Sequence, residues 1–124
     1  MESSLIPLQE FNLEETKQIT GSNGDADRER VKAIAISMML RAFKELEPIE
    51  QLENLQLLLS SESFSRATDG LLAARHLQSG LAELCEHFKD TTVLELFQKP
   101  HLSVTNAVNE AQAAYTKLKA LHDV

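Results

Sequence analysis

Residues 31–46, VKAIAISMMLRAFKEL, hold eleven apolar residues among sixteen. At 100° per residue most of them spread over about 220° of a helical wheel, wider than the stripe of an ordinary surface helix. A helix with so little polar surface needs neighbours on more than one side. It is the centre of a small bundle, or it lends one face to another chain. Ser37, Arg41 and Lys44, with Arg30 and Glu45, form its polar band of about 100°, and Ile34 lies at the edge of that band. Lys32 stands alone in the apolar arc near the helix start, where its ammonium can reach water. An aspartate at Ile36 or Leu40 is therefore expected to unfold the chain or to break an oligomer.

The rest of the chain agrees with a helical fold. Its 124 residues suit one domain. Val and Ile show no period-2 clustering, and only four glycines and three prolines occur, so strands and tight hairpins lack their usual residues. The expected fold is all-α, a compact antiparallel bundle of four to five helices with a short N-terminal arm. Residues 1–24 form the arm and linker, and residues 25–124 the bundle domain.

Local signals divide the chain further. Asn12 with Glu15 resembles a capping box that starts a short helix over 13–19. Thr20-Gly21-Ser22-Asn23-Gly24 is a linker. The arm either frays as a terminus or docks Leu8 and Phe11 into a groove on its own bundle or on a neighbouring subunit. The first main helix starts at Asp25 or Asp27 and runs to about Glu47. Pro48 then opens a helix over roughly 49–59. A third helix covers about 64–88, or starts only at Asp69-Gly70, with Leu71, Ala74, Leu77, Leu81, Leu84, Cys85 and Phe88 on its core face. Gly80, inside it, marks a close crossing or a local break. Thr92 with Glu95 reads as a second capping box, opening a short helix over 93–98 that Pro100 stops. The last helix covers about 103–122. Its Val104, Val108, Ala111, Tyr115 and Leu118 keep 4-3 spacing, the seam of a packed or coiled pair.

Chemical motifs are weak. His76, Glu83 and His87 share one helical face, but that face lies opposite the apolar arc, so they read as solvated residues and no metal site is expected. Cys85 reads as a small core hydrophobe without a reactive setting. The serines of 60–65 lack the glycines of a nucleophile elbow and read as a helix cap and turn. Gly21-Ser22-Asn23-Gly24 lacks the Lys-Ser/Thr and preceding strand of a phosphate loop. The adjacent Met38 and Met39 point about 100° apart. Core filling is the plainer reading of both, and one of them can also serve an adaptable contact surface.

The net charge of −7 sets the chain against a phosphate backbone. Arg28, Arg30, Lys32, Arg41 and Lys44 are interleaved with Asp27, Glu29, Glu45 and Glu47, which makes a mixed, solvated face and not a nucleic-acid patch. Cys85 is the single cysteine, so nothing suggests an oxidising compartment and the cytoplasm is expected. No run approaches the ~18 apolar residues of a membrane span, and the N-terminus lacks the pattern of a signal peptide.

These features point to a non-catalytic protein-protein interaction module: an adaptor, a small regulatory subunit, or a chaperone-like or inhibitor-like bundle. The expected partner is another protein or a second copy of the chain as a homodimer, with no cofactor and no catalytic residue. The partner-binding residues expected are Leu8, Phe11, Ile36, Met39, Leu40, Phe43, Val108 and Tyr115. The alternative is a small-ligand-binding bundle or minor enzyme, with a pocket near Tyr115, His101 and Cys85. Nucleic-acid binding through Arg28, Arg30, Arg41 and Lys44 ranks below both.

Overall fold

A computed structural model describes residues 12–19, 25–54 and 60–123, with the backbone alone for 25 and 26. Among the described residues there are five helices and no strand: α1 (Leu13–Lys17), α2 (Asp25–Glu45), α3 (Glu47–Asn54), α4 (Ser61–His87) and α5 (Leu94–His122). The fold is an all-α bundle.

Three long helices make the core. Gly70 and Gly80 of α4 meet Glu45 and Met38 of α2, so α4 runs antiparallel to α2. Thr68 meets Tyr115, Gln78 meets Thr105 and Phe88 stacks on Phe97, so α4 also runs antiparallel to α5. Both neighbours of α4 therefore point the same way, and α2 and α5 lie parallel. Arg28 near one end of α2 reaches Thr92 and Glu95 at the start of α5.

The buried positions follow helical spacing. On α2 they are Val31, Ala35, Met38, Ala42 and, just past its end, Leu46. On α4 they run from Phe64 through Ala67, Leu71, Ala74, Leu77, Leu81 and Leu84 to Phe88. Apolar residues at three- and four-residue steps fall on one helix face, so each helix closes one stripe against the others. Alanine and glycine at the α2–α4 contact let the two helices approach closely. Phe97, Met38, Ile49, Leu77, Leu81 and Leu84 are the largest fully buried side chains among the described residues. Burying a side chain of this size contributes about 1.5–3 kcal/mol each relative to exposure.

The helix boundaries show which local signals win. The Asn12 side chain accepts from the Glu15 N–H (3.0 Å), so α1 starts where its capping pair predicts. It ends at Lys17, before the predicted residue 19, and Ile19 turns into the core. The Ser60 hydroxyl accepts from the Ser63 N–H (3.1 Å), which makes the serine cluster an N-cap, as expected. Pro48 occupies the first turn of α3, where a missing N–H costs nothing. The expected continuation of α3 to about residue 59 falls outside the described residues.

Two boundary expectations are corrected. Pro100 does not end a helix; it lies inside α5, which continues from Leu94 to His122. An internal proline forfeits a backbone hydrogen bond, at a cost of about 3 kcal/mol. Pro100 is buried among the core residues of α5, and that burial offsets part of the cost. Nor do Thr92 and Glu95 form a capping box. The Val93 N–H donates to the Thr91 hydroxyl (3.3 Å), while the Glu95 carboxylate is drawn off by Arg28 (2.7 Å).

Candidate interaction surface

With its buried stripe turned to α4 and α5, α2 leaves a second apolar row uncovered. Ile36, Leu40 and Phe43 are 37%, 43% and 38% exposed. Their spacing of four and three places them in line on one face over about 10 Å of helix. Sequence reading treats the wide apolar arc as one surface in need of cover. The structure divides it into a closed half and an open half, with Met39 half-buried between them. Ile34, expected at the edge of the polar band, packs against the core.

Phe43 connects the open row to a groove of about 420 Å³ between the C-terminal end of α2, α3 and α5. Its apolar floor is Phe43, Leu46, Ile49, Ala107 and Ala111. Four carboxylates edge it: Glu47, Glu50 and Glu53 from α3, and Glu110 from α5. Three- and six-residue steps keep the α3 glutamates on one side of that short helix. Among the described residues none of the four belongs to an ion pair. The remaining large exposed apolar side chains, Leu72, Leu102 and Leu121, stand on α4 and α5 away from the groove lining.

Of the residues expected to meet a partner, Ile36, Leu40 and Phe43 are thus together on the open row and Met39 borders it. Val108 is buried and packs into the chain's own core. Tyr115 is half-buried; its hydroxyl lies 2.7 Å from the Thr68 hydroxyl and its ring meets Phe64 edge-on at 5.9 Å. Within the 4-3 seam of α5, Tyr115 thus closes onto α4 of the same chain and Val104, Val108 and Leu118 are buried in the core, while Ala111 lines the groove. Leu8 and Phe11 lie outside the described residues.

The face carrying Glu83 and His87 has a role that the helical wheel missed. It receives α1. Lys17 reaches the Glu83 carboxylate at 2.6 Å, and His87 Nε2 lies 3.2 Å from the Lys17 carbonyl oxygen. Glu83 holds the Lys17 ammonium in its charged form, and the Lys17 pKa is raised above the ordinary lysine value. Leu13 packs over Gly80, at ordinary contact distance from where a Cβ would stand. The wheel places these residues opposite the core, which is correct for α4 alone; Gly80, on the same side, marks a close approach without showing which segment makes it.

Cys85 is also corrected. It is half-buried and packs against the core without being enclosed in it, and burial pushes its thiol pKa up. Cys85, His101 and Tyr115 do not meet in one pocket. Residues 101 and 115 are separated along one helix by about 21 Å at 1.5 Å per residue. Thr68, which holds Tyr115, is about 25 Å along α4 from Cys85. Of the basic residues considered for nucleic acid, Arg28 pairs with Glu95 (2.7 Å) and Arg41 with Glu45 (3.1 Å). No group of three or more His, Cys, Asp or Glu among the described residues is arranged to hold a metal ion. No helix among them is long and apolar enough to cross a membrane.

The chain matches no family model, and no curated protein or solved structure matches it significantly.

Proposed function

We propose that this chain is a non-catalytic protein-interaction module of the cytoplasm, working as an adaptor, small regulatory subunit, chaperone-like or inhibitor-like bundle. The observation that carries the reading is the in-line exposure of Ile36, Leu40 and Phe43 on the helix that also anchors the core. Single exposed hydrophobics are ordinary on protein surfaces. An aligned row that runs into an apolar groove is not, and such surfaces mark contacts with other chains. Anchors at i, i+4 and i+7 suit a helix laid along the row. The single cysteine suits a reducing compartment.

The test uses the Leu40→Asp variant, which alters the open row and leaves the buried stripe intact. The wild-type chain is expected to recover a partner from its native cells, or to self-associate in sedimentation. That association is then rebuilt from purified components. The Leu40→Asp chain, with an unchanged helical spectrum, is expected to lose it by at least about tenfold, the scale of one well-buried interface anchor. Equal association by wild type and variant, or none by wild type, contradicts the reading.

A further inference from the structure

Resting on the reading that this face docks a protein segment, we propose that its occupant is a cationic amphipathic helix. Its apolar side would lie along Leu40 and Phe43 and over Ala107 and Ala111. Its lysines and arginines would meet Glu47, Glu50, Glu53 and Glu110.

Charge identifies the occupant. Residues 45–62 carry five glutamates and no lysine or arginine. Of the five, Glu45 is engaged by Arg41, while Glu47, Glu50 and Glu53 stand on the groove edge, and Glu110 faces them from α5. Carboxylates therefore flank the apolar floor from both α3 and α5. An occupant with an apolar face between two basic margins satisfies both features together. The net charge of −7 also draws such a segment in at low ionic strength.

The chain's own segments fit the groove less well. Residues 1–11 contain Glu2 and Glu10 and no basic side chain, and residues 55–59 contain no charge at all. All twelve lysines and arginines fall within the described residues, and none is paired with the four edge glutamates. A second copy docked groove to groove about a two-fold axis would bring four more carboxylates to the same place. The groove shape favours a helix as well. Its sides are α3 and α5, with Phe43 of α2 at one end, and a third helix can lie between two helices in ordinary ridge-and-groove packing. An added β-strand would need a free sheet edge, and there is no strand among the described residues.

The probe is a fluorescent peptide of leucine and lysine in helical 3-4 spacing, titrated against the full chain by anisotropy. Controls are a scrambled peptide of the same composition and a leucine–glutamate peptide of the same pattern. The patterned leucine–lysine peptide is expected to bind best, and more weakly as salt rises. The combined Glu47→Gln, Glu50→Gln, Glu53→Gln and Glu110→Gln variant is expected to lose about tenfold or more of that affinity. Glu29→Gln, Glu62→Gln, Glu86→Gln and Asp90→Asn together change the net charge equally but lie outside the groove, and are expected to lose less than about threefold. Phe43→Asp is expected to abolish binding. Equal loss in the two charge variants, equal binding of the scrambled peptide, or no binding of the patterned one overturns the proposal. Tighter, Phe43-dependent binding of the leucine–glutamate peptide also overturns it, yet leaves the interaction reading standing. That reading fails separately, if Leu40→Asp leaves the native association unchanged.

Discussion

Gly70 of α4 lies against the main-chain carbonyl of Glu45 in α2, so closely that a Cβ on Gly70 would overlap that oxygen. This contact sits where α2 ends and α3 begins, beside Pro48. It sets the spacing between α4 and the helix that carries the open apolar row.

The two glycines of α4 are therefore expected to respond oppositely to alanine. Alanine in a helix gains about 1 kcal/mol over glycine. At Gly70 the new methyl meets backbone, which cannot move aside. Gly70→Ala should lose about 1–3 kcal/mol, the usual cost of overpacking. A Cβ at Gly80 would meet Met38 Cε at 3.0 Å and Leu13 Cδ2 at 3.6 Å, both at the ends of flexible side chains. Gly80→Ala should be neutral or stabilising by up to about 1 kcal/mol. Urea unfolding of the two variants checks the contrast. A stable Gly70→Ala chain would mean that the helices are not in such close contact.

Lys17 and Glu83 tie α1 to the bundle. The Lys17 pKa is raised, first by its hydrogen bond to Glu83; desolvation opposes this, and charge attraction to Glu83 and Glu14 adds to the rise. A raised lysine pKa makes the contact strongest below the ordinary value of 10.5 and loses it as pH rises through the folded-state value. The Ile19 methyl signals should hold their buried positions at neutral pH and shift only above about pH 10.5. In Lys17→Met they should be shifted at neutral pH already. Identical Ile19 spectra in the two chains would remove Lys17 from the docking of α1.

Cys85 should be a slow thiol. Burial raises its pKa above the ordinary 9.0, so less thiolate is present at pH 8 than in an unstructured peptide. Iodoacetamide should modify Cys85 severalfold more slowly in the folded chain than in urea. Equal or faster reaction in the folded state would place the thiol in an open, activated setting.

The helices of this protein can be traced in its sequence by apolar periodicity and, for α1 and α4, by an N-cap. Asn12 with Glu15 and Ser60 with Ser63 mark two starts, and the apolar steps of α4 mark its buried face. What could not be read is what one segment does to another. Pro100 reads as a stop because nothing local shows that its ring is buried in the core. Glu95 reads as a cap because Arg28, which takes its carboxylate, lies far away in sequence. Glu83 and His87 read as solvated because α1 arrives from a different part of the chain. The open row was legible as residue types, since Ile36, Leu40 and Phe43 belong to the conspicuous apolar arc. Which side of that arc is closed depends on where α4 and α5 pack. The carboxylate edge is invisible for the same reason, because Glu110 joins Glu47, Glu50 and Glu53 only across the groove.

The core closes without the Ile36–Leu40–Phe43 row, whose side chains stay exposed. The sequence alone allows an aspartate at Leu40 to unfold the protein; the exposure of Leu40 predicts otherwise. Equilibrium urea unfolding of the Leu40→Asp chain decides between them. The structure predicts a loss below about 1 kcal/mol, the range of surface and helix-propensity effects. A loss of about 3 kcal/mol or more, the scale of a damaged core, would contradict it.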